Sequence, residues 1–339
     1  MILFRADGNP RIGTGHIMRC LSLADAFQDR GADSVFVTAE ADMRPLIQGR
    51  GYECLVLGST YDHLEEELPA FLPLLAAKGP ACVILDHYFV TPAYMRAVRA
   101  RAPLVYIDDQ NAFDYPADVV VNYNLHGEKT PYPPGKTYLL GPQYAPLRRQ
   151  FRGLRPRTER AWVEQVLIST GGTDSYHVAL GCAEYLLEHP PLSGTVYHLV
   201  LGTMNPDSGR IEQLAAKTPY LASHRGVADM CGLMLQCDAA VSAAGTTLYE
   251  LCACGVPTVA YVLADNQIQG AAAFETAGLM PCAGDVRGDP NFPEHIFAKL
   301  EELSGEESRR EITRRMQTLV DGNGASRLAD RLEDFFGRL

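Results

Sequence analysis

Apolar positions along this chain fall into two patterns. Short, nearly unbroken apolar runs alternate with longer stretches in which apolar residues recur at helical spacing. In the first half the short runs are Ile2–Ala6, Ser34–Thr38, Cys54–Leu57, Cys82–Leu85, Leu104–Ile107 and Val119–Asn122. They are rich in β-branched residues and continuous rather than alternating, as in strands covered on both faces of a parallel sheet. The longer stretches, Ile17–Arg30, Met43–Arg50, Glu65–Lys78 and Ala93–Arg101, read as amphipathic helices. This strand–helix alternation predicts a doubly wound α/β domain.

The stretch Tyr132–Arg157 interrupts the rhythm with Pro, Gly, Arg and Tyr and reads as an interdomain connection. The alternation then restarts, with strands at Val163–Ser169, Val196–Leu201, Ala239–Ser242 and Thr258–Val262. Helices are expected at Ser175–Glu188, Thr247–Cys254 and Gln267–Thr276, and the amphipathic tail Ser308–Leu339 reads as two more. The expected organisation is a Rossmann-like domain over 1–145, a linker over 146–160, and a second Rossmann-like domain with a helical tail over 161–339. Two such domains are expected to face each other across a cleft, with ligands at the carboxyl ends of the strands.

Composition narrows the function. A length of 339 residues gives both halves room for a core. A formal charge of −11 argues against a general nucleic-acid binder and against a polybasic membrane anchor. The nine cysteines are scattered, without a Cys-x-x-Cys pair, which reads as reduced thiols and no structural zinc. The start of the chain lacks signal-peptide character, and no apolar run is long enough to span a bilayer. A cytoplasmic protein is expected.

The candidate chemistry sits at strand ends. The first strand-to-helix turn runs from Arg5 through Asp7, Gly13, Thr14 and Gly15 to His16. It lacks the lysine of a P-loop and the third glycine of the dinucleotide fingerprint. Gly13 and Gly15 therefore read as a tight turn whose N–H groups can approach a ligand. His16 lies in the first turn of the following helix, where the positive helix end favours a neutral imidazole able to take a proton from water. A histidine that merely caps or packs fits the same position. Asp7 can orient that imidazole or bind a loop amide, and Arg5 can face an anionic substrate. Asp86-His87-Tyr88 closes another strand. There Tyr88 can bond a sugar or a reacting water with Asp86 orienting it, or simply pack. Asp108 and Asp109 read as a helix cap rather than a metal site.

In the second half, Gly171 and Gly172 open either a phosphate-binding helix start or a plain turn. Ser242, Gly245 and Thr246 form a small-residue turn suited to a diphosphate. Glu250, one helical turn on, suits ribose hydroxyls, although Thr247 with Glu250 also matches a capping box. Asn266 and Gln267 follow the next strand and can reach the same cleft without adding charge.

These segments, "RADG…IGTGHIMRCLSLA", "DHY", "GPQYAPLRRQF", "GGTD", "SAAGTTLYELCACGVPT" and "NQ", together resemble the nucleotide-sugar hydrolases of bacterial pseudaminic acid biosynthesis. The resemblance runs from Met1 to about Thr276. Its most specific part is the Gly-x-Gly-His-x-x-Arg-Cys element, since the "SAAGTT…E" element is shared with many glycosyltransferases. It implies a GT-B fold, inverting water attack at an anomeric carbon and release of UDP, without metal or cofactor. The implied substrate is UDP-2,4-diacetamido-2,4,6-trideoxy-β-L-altrose, in a pathway that supplies flagellin glycosylation. On that analogy His16 activates water, Tyr88 supports it, and Asn266 contacts the substrate near the reacting end. Ser242, Gly245, Thr246 and Glu250 would hold the diphosphate and ribose. Gly226–Met230, with Val227 and Met230, would meet the uracil largely through its backbone. A GT-B glycosyltransferase and a non-catalytic nucleotide-sugar binder are the alternatives, with a UDP-sugar epimerase as a neighbouring possibility.

Overall fold

A parallel sheet organises each half of the chain in the computed structural model, which describes residues 1–191 and 194–337. The first half runs β1 (Ile2–Ala6), α1 (Gly15–Gln28), β2 (Ser34–Thr38), α2 (Arg44–Gly49), β3 (Glu53–Val56), α3 (Leu64–Lys78), β4 (Cys82–Asp86), α4 (Pro92–Arg99), β5 (Leu104–Ile107), β6 (Val119–Asn122) and β7 (Thr137–Leu140). Its strand order is β3-β2-β1-β4-β5-β6-β7. The central strands β1, β2 and β4 are buried at every position, which is why their apolar pattern does not alternate. Successive side chains point to opposite faces. Leu3, Val83 and Leu85 pack against Phe71, Leu75, Tyr94 and Met95 of α3 and α4. Phe4 stacks on Phe36 at 4.9 Å and lies 6.5 Å from Phe27 of α1. Each such buried side chain contributes about 1.5–3 kcal/mol.

The second half runs β8 (Gln165–Ser169), α5 (Val178–Glu188), β9 (Val196–Leu201), α6 (Ser208–Ala215), β10 (Leu221–Arg225), α7 (Met230–Gln236), β11 (Ala239–Ala243), α8 (Thr247–Cys254), β12 (Thr258–Val262), α9 (Asp265–Thr276), β13 (Cys282–Asp285), α10 (Phe292–Glu301) and α11 (Glu306–Leu319), and the chain closes with α12 (Gly324–Phe336). Its strand order is β10-β9-β8-β11-β12-β13. In each sheet the winding direction reverses once, between β1 and β4 and between β8 and β11. These are the switch points at which doubly wound folds open a crevice beyond the carboxyl strand ends.

By contact the chain divides between Arg149 and Gln150, and the helical tail is split. The tail was expected whole in the second domain, but α12 belongs to the first unit. Arg30 of the first unit donates to Ser326 O at 3.0 Å and to Asp330 Oδ1 at 2.9 Å. Gly324 meets the Ala145 backbone so closely that a Cβ there would lie 2.1 Å from Ala145 O. The proline-rich stretch read as a connection also contains β7, which pairs with β6. All nine cysteines are free, and no helix among the described residues is long and apolar enough to cross a membrane.

Candidate active site

The first unit's switch point is built from buried charge. The loop after β1 turns at Gly13, whose φ of 75° favours glycine, and Gly13 N–H donates to Asn9 O at 2.8 Å. Gly15 is exposed and opens α1, and His16 beside it is buried. His16 Nδ1 lies 2.6 Å from Asp86 Oδ1, at the end of β4. Arg19 Nη2 also lies 3.0 Å from Nδ1, but its hydrogen goes to Asp86 Oδ1 at 2.5 Å; two lone pairs at 2.6 Å would repel, so Nδ1 carries the proton and donates it to the carboxylate. Among the described residues Nε2 makes no hydrogen bond, which leaves it as the accepting nitrogen. Burial alone would raise the Asp86 carboxyl. The charge of Arg19, with the hydrogen bonds from Arg19 and His16, outweighs this and holds it well below the usual carboxylate range. Asp86 therefore stays ionised and fixes the tautomer of His16.

Tyr88 packs edge-on against His16 at a ring separation of 4.4 Å, and its hydroxyl donates to Asp109 Oδ2 at 3.2 Å. Asp109 is thus a partner of Tyr88. Asp108 anchors a turn rather than a helix, accepting from Gln110 N–H at 2.8 Å and Tyr115 O–H at 2.7 Å.

Arg5 and Asp7 do different work from that expected. Arg5 is fully buried, and its guanidinium donates to Glu67 Oε1 at 2.7 Å, Glu67 Oε2 at 2.6 Å and Asp7 Oδ2 at 2.6 Å. It has no face left for a substrate. Asp7 orients His87, not His16: His87 Nε2 lies 3.1 Å from Asp7 Oδ2, and Asp7 Oδ1 accepts from Ala39 N–H at 2.7 Å. Burial would raise Asp7, but Arg5 and the His87 hydrogen bond outweigh it and pull its pKa down to about 2. His87 Nδ1 accepts from Phe89 N–H at 3.1 Å. Both ring nitrogens of His87 are thus engaged, and burial pushes its pKa down.

The second unit's switch point is small and mostly neutral. Gly171 and Gly172 follow β8, with Gly171 at a φ of 85°. Their carbonyls press against Gly202 after β9, where a Cβ would lie 2.2 Å from Gly172 O. Asp174 caps α5, accepting from Val178 N–H at 2.9 Å and Ala179 N–H at 3.0 Å. Ser242 is buried, and its hydroxyl donates to Ala243 O at 3.1 Å. Gly245, Thr246 and Glu250 are half-buried at the start of α8. Thr246 is the N-cap and makes no side-chain capping bond, so the Thr247–Glu250 capping box does not form. Asn266 and Gln267 lie in the first turn of α9. Gln267 Oε1 accepts from Leu263 N–H at 3.0 Å, and Nε2 comes within 3.9 Å of where a Gly245 Cβ would lie.

After β10, Val227 is half-buried and Met230 buried. That loop is pinned by Gln150, which accepts from Cys231 N–H at 2.9 Å and donates to Ala228 O at 3.5 Å. Gly171, Gly172, Val227, Met230, Gly245, Thr246 and Gln267 thus all lie at carboxyl strand ends of one sheet. A separate cavity of about 480 Å³ opens beside Leu235 and Asp238, before β11. Two of its three arginines, Arg157 and Arg160, are committed to Glu159 and Asp238. No group of three or more potential metal ligands occurs among the described residues.

The sequence reading missed Arg19 as a partner of Asp86, and Asp86 as the partner of His16. The signal was present: Arg19 lies three positions after His16, on the same helix face. Asp86 and Asp109 sit at the carboxyl ends of adjacent strands, where a switch-point ligand group is expected.

No family model matches the chain. In sequence it is similar to spore coat polysaccharide biosynthesis protein SpsG of Bacillus subtilis, 23% identical over 98% of this chain and 97% of that protein. It is also similar to a Helicobacter pylori protein named pseudaminic acid cytidylyltransferase and UDP-2,4-diacetamido-2,4,6-trideoxy-beta-L-altropyranose hydrolase, with 26% identity over 79% of this chain. That match covers 45% of the doubly named protein, so the chain spans about half its length. Among solved structures, MurG of Acinetobacter baumannii superposes with a TM-score of 0.70 at 14% identity, covering 98% of this chain and 99% of that one. Spinosyn rhamnosyltransferase SpnG in complex with thymidine diphosphate gives 0.71 at 13% identity, again over 98% and 99%. The chain therefore has the GT-B fold of two Rossmann-like domains, and in sequence it is similar to sugar-biosynthesis proteins that include one named as a UDP-sugar hydrolase.

Proposed function

We propose that this protein is an enzyme acting on nucleotide sugars, and specifically an inverting UDP-sugar hydrolase. Its proposed substrate is UDP-2,4-diacetamido-2,4,6-trideoxy-β-L-altropyranose, and its place is in pseudaminic acid biosynthesis. The observation that carries the reading is the buried Asp86–His16 pair, in which Nδ1 is held by the carboxylate and Nε2 makes no bond among the described residues. The name of the Helicobacter pylori relative supports the substrate class.

In the proposed reaction His16 Nε2 takes a proton from water as the water oxygen forms a bond to the anomeric carbon. The bond from that carbon to the diphosphate oxygen breaks, and UDP leaves with the electron pair. Asp86 steadies the imidazolium that results. Glycoside hydrolysis commonly needs a carboxylic acid to protonate a poor leaving group. UDP is a good leaving group, and a site of amides and hydroxyls stabilises its charge without an acid. The second unit's loops are assigned to UDP. Gly245 and Thr246 take the diphosphate, Glu250 the ribose, Val227 and Met230 the uracil, and Asn266 and Gln267 the region near the reacting end. Ser242 supports this loop through its own backbone bond rather than by reaching the ligand.

The test is UDP release by the purified protein from the altrose nucleotide with no acceptor present. Release that disappears in His16→Ala supports hydrolysis. A second reading, transfer to an acceptor, is favoured by the fold shared with a rhamnosyltransferase, and it predicts release only when an acceptor is added.

A further inference from the structure

The arginine of the Gly-x-Gly-His-x-x-Arg-Cys element has no direct part in the proposed reaction, yet its guanidinium bonds the carboxylates that hold the two side chains that do. His16 and Tyr88 come from different elements, α1 and the loop after β4. Each is held by its own carboxylate: His16 by Asp86 at 2.6 Å and Tyr88 by Asp109 at 3.2 Å. Arg19 bonds both carboxylates. Its Nε and Nη2 donate to Asp86 Oδ2 and Oδ1, each at 2.5 Å, and Nη1 donates to Asp109 Oδ2 at 2.8 Å. Nη1 also reaches Tyr123 O–H at 2.7 Å. Cys20 Sγ lies 3.5 Å from Asp86 Oδ2, and Asn124 Nδ2 donates to Asp109 Oδ1 at 3.1 Å. The three side chains are almost sealed from solvent, at 4% exposure for Arg19, 0% for Asp86 and 9% for Asp109.

This arrangement needs a planar fork. A guanidinium can donate in two directions at fixed angles, whereas a lysine ammonium is a point charge. One cation set against two carboxylates leaves the cluster one negative charge in excess. A proton arriving on His16 makes up that difference. The Arg5 cluster shows the contrasting case. Its guanidinium also joins two carboxylates, Asp7 and Glu67, but the histidine it serves, His87, has both nitrogens filled.

We propose that Arg19 is the positioning residue of the first unit's site: it locks the carboxylates of Asp86 and Asp109 to each other and so holds His16, in its Nδ1–H tautomer, in register with Tyr88. The functional part of this inference rests on the base role proposed for His16. The groups facing the cluster are Asp86, His87 and Tyr88 from β4 and its loop, Asp109 after β5, Tyr123 after β6, and Cys20 on α1.

The test combines kinetics with ¹⁵N-histidine NMR on the full chain, the His16 signals being assigned by their loss in His16→Gln. In the wild type the His16 proton should reside on Nδ1. In Arg19→Lys the Nε2–H form should appear, kcat should fall about 100-fold from misplacement of the base, and KM should stay nearly unchanged. Asp109→Asn should release only Tyr88, costing about tenfold in kcat for one charge-assisted hydrogen bond and leaving the His16 tautomer intact. Wild-type kcat in Arg19→Lys overturns the proposal, as does a loss of kcat with the His16 signals unchanged. If Arg19→Lys does not fold, Asp109→Asn decides, and wild-type kcat there overturns the coupling. The NMR measurement needs no substrate. A wild-type protein that releases no UDP therefore refutes the hydrolase reading alone, while the positioning claim still stands or falls on the imidazole.

Discussion

The two switch points share a topology and differ in chemistry. In both sheets a central strand reverses the winding and opens its loops at the carboxyl edge. The first unit fills that edge with Arg5, Asp7, Arg19, Asp86, Asp109 and two histidines, nearly all buried. The second fills it with Gly171, Gly172, Gly245, Thr246, Asn266 and Gln267, with Glu250 set one turn back. Buried charges cost several kcal/mol each to desolvate and persist only when paired and hydrogen-bonded. An arrangement that carries so many suits proton transfer. Small neutral loops let backbone amides approach an anion, which suits binding. The fold thus provides two switch points of like strand order, and on the proposed reading the side chains divide the labour.

The largest expected effect breaks the first site. His16→Ala and Asp86→Asn should each cost about 10⁴-fold in kcat, by analogy with loss of a triad histidine or of its orienting carboxylate. The double variant should be little worse than either, because the pair acts as one unit. UDP affinity, measured by calorimetry, should survive in His16→Ala. Its collapse in a folded variant would erase the division of labour.

Glu250→Ala addresses the second site. It should weaken UDP binding by roughly 10- to 100-fold, the loss of a hydrogen bond to a charged group, with kcat at saturation little changed. A defect in kcat alone would contradict the ribose assignment.

Acid should loosen the first unit, and the sign follows from its buried groups. His87 is held neutral by burial, with its pKa below 6.5, so the stability it lends is present above that value and is lost as pH falls below it. Asp7 and Asp86 are depressed below 3.8, so their contribution goes as pH falls beneath that value. For Asp7, brought to about 2, the loss is about 2 kcal/mol. Thermal melts from pH 8 to 3 should show midpoints falling throughout, and a rise towards pH 5 would contradict the assignment.

The smallest effect is expected at His87. Although its ring lies 6.4 Å from His16, both its nitrogens are engaged, so His87→Gln should leave kcat within about tenfold of wild type. It should also flatten the first part of the acid loss. Abolished turnover with intact fold would mean that the wrong histidine has been named as base.

Strand cores were legible in the sequence because burial on both faces writes a continuous apolar run, and β1, β2, β5, β6 and β12 begin and end where that pattern does; β9 also has its expected bounds, though it is fully buried only at alternate positions. Elements without such a run were not legible. β7 is four residues beside a Pro-Pro-Gly stretch, and β13 carries a glycine and an aspartate. The histidine could be picked out, because a Gly-x-Gly-His turn opening a helix is unusual. Its partner could not. Asp7 is near His16 in sequence, whereas Asp86 reaches it only through the register that sets Ala6 beside Asp86 on neighbouring strands. Arg5 looked available for a substrate because nothing local shows that Glu67, 62 positions away, occupies it.

Whether His16 directs water to the anomeric carbon is decided by hydrolysis of the altrose nucleotide in ¹⁸O-water with the products followed in real time. The expected result is ¹⁸O in the free sugar, none in UDP, and a first-formed anomer of inverted configuration. Label in UDP, a retained anomer, or release only on addition of an acceptor would contradict it.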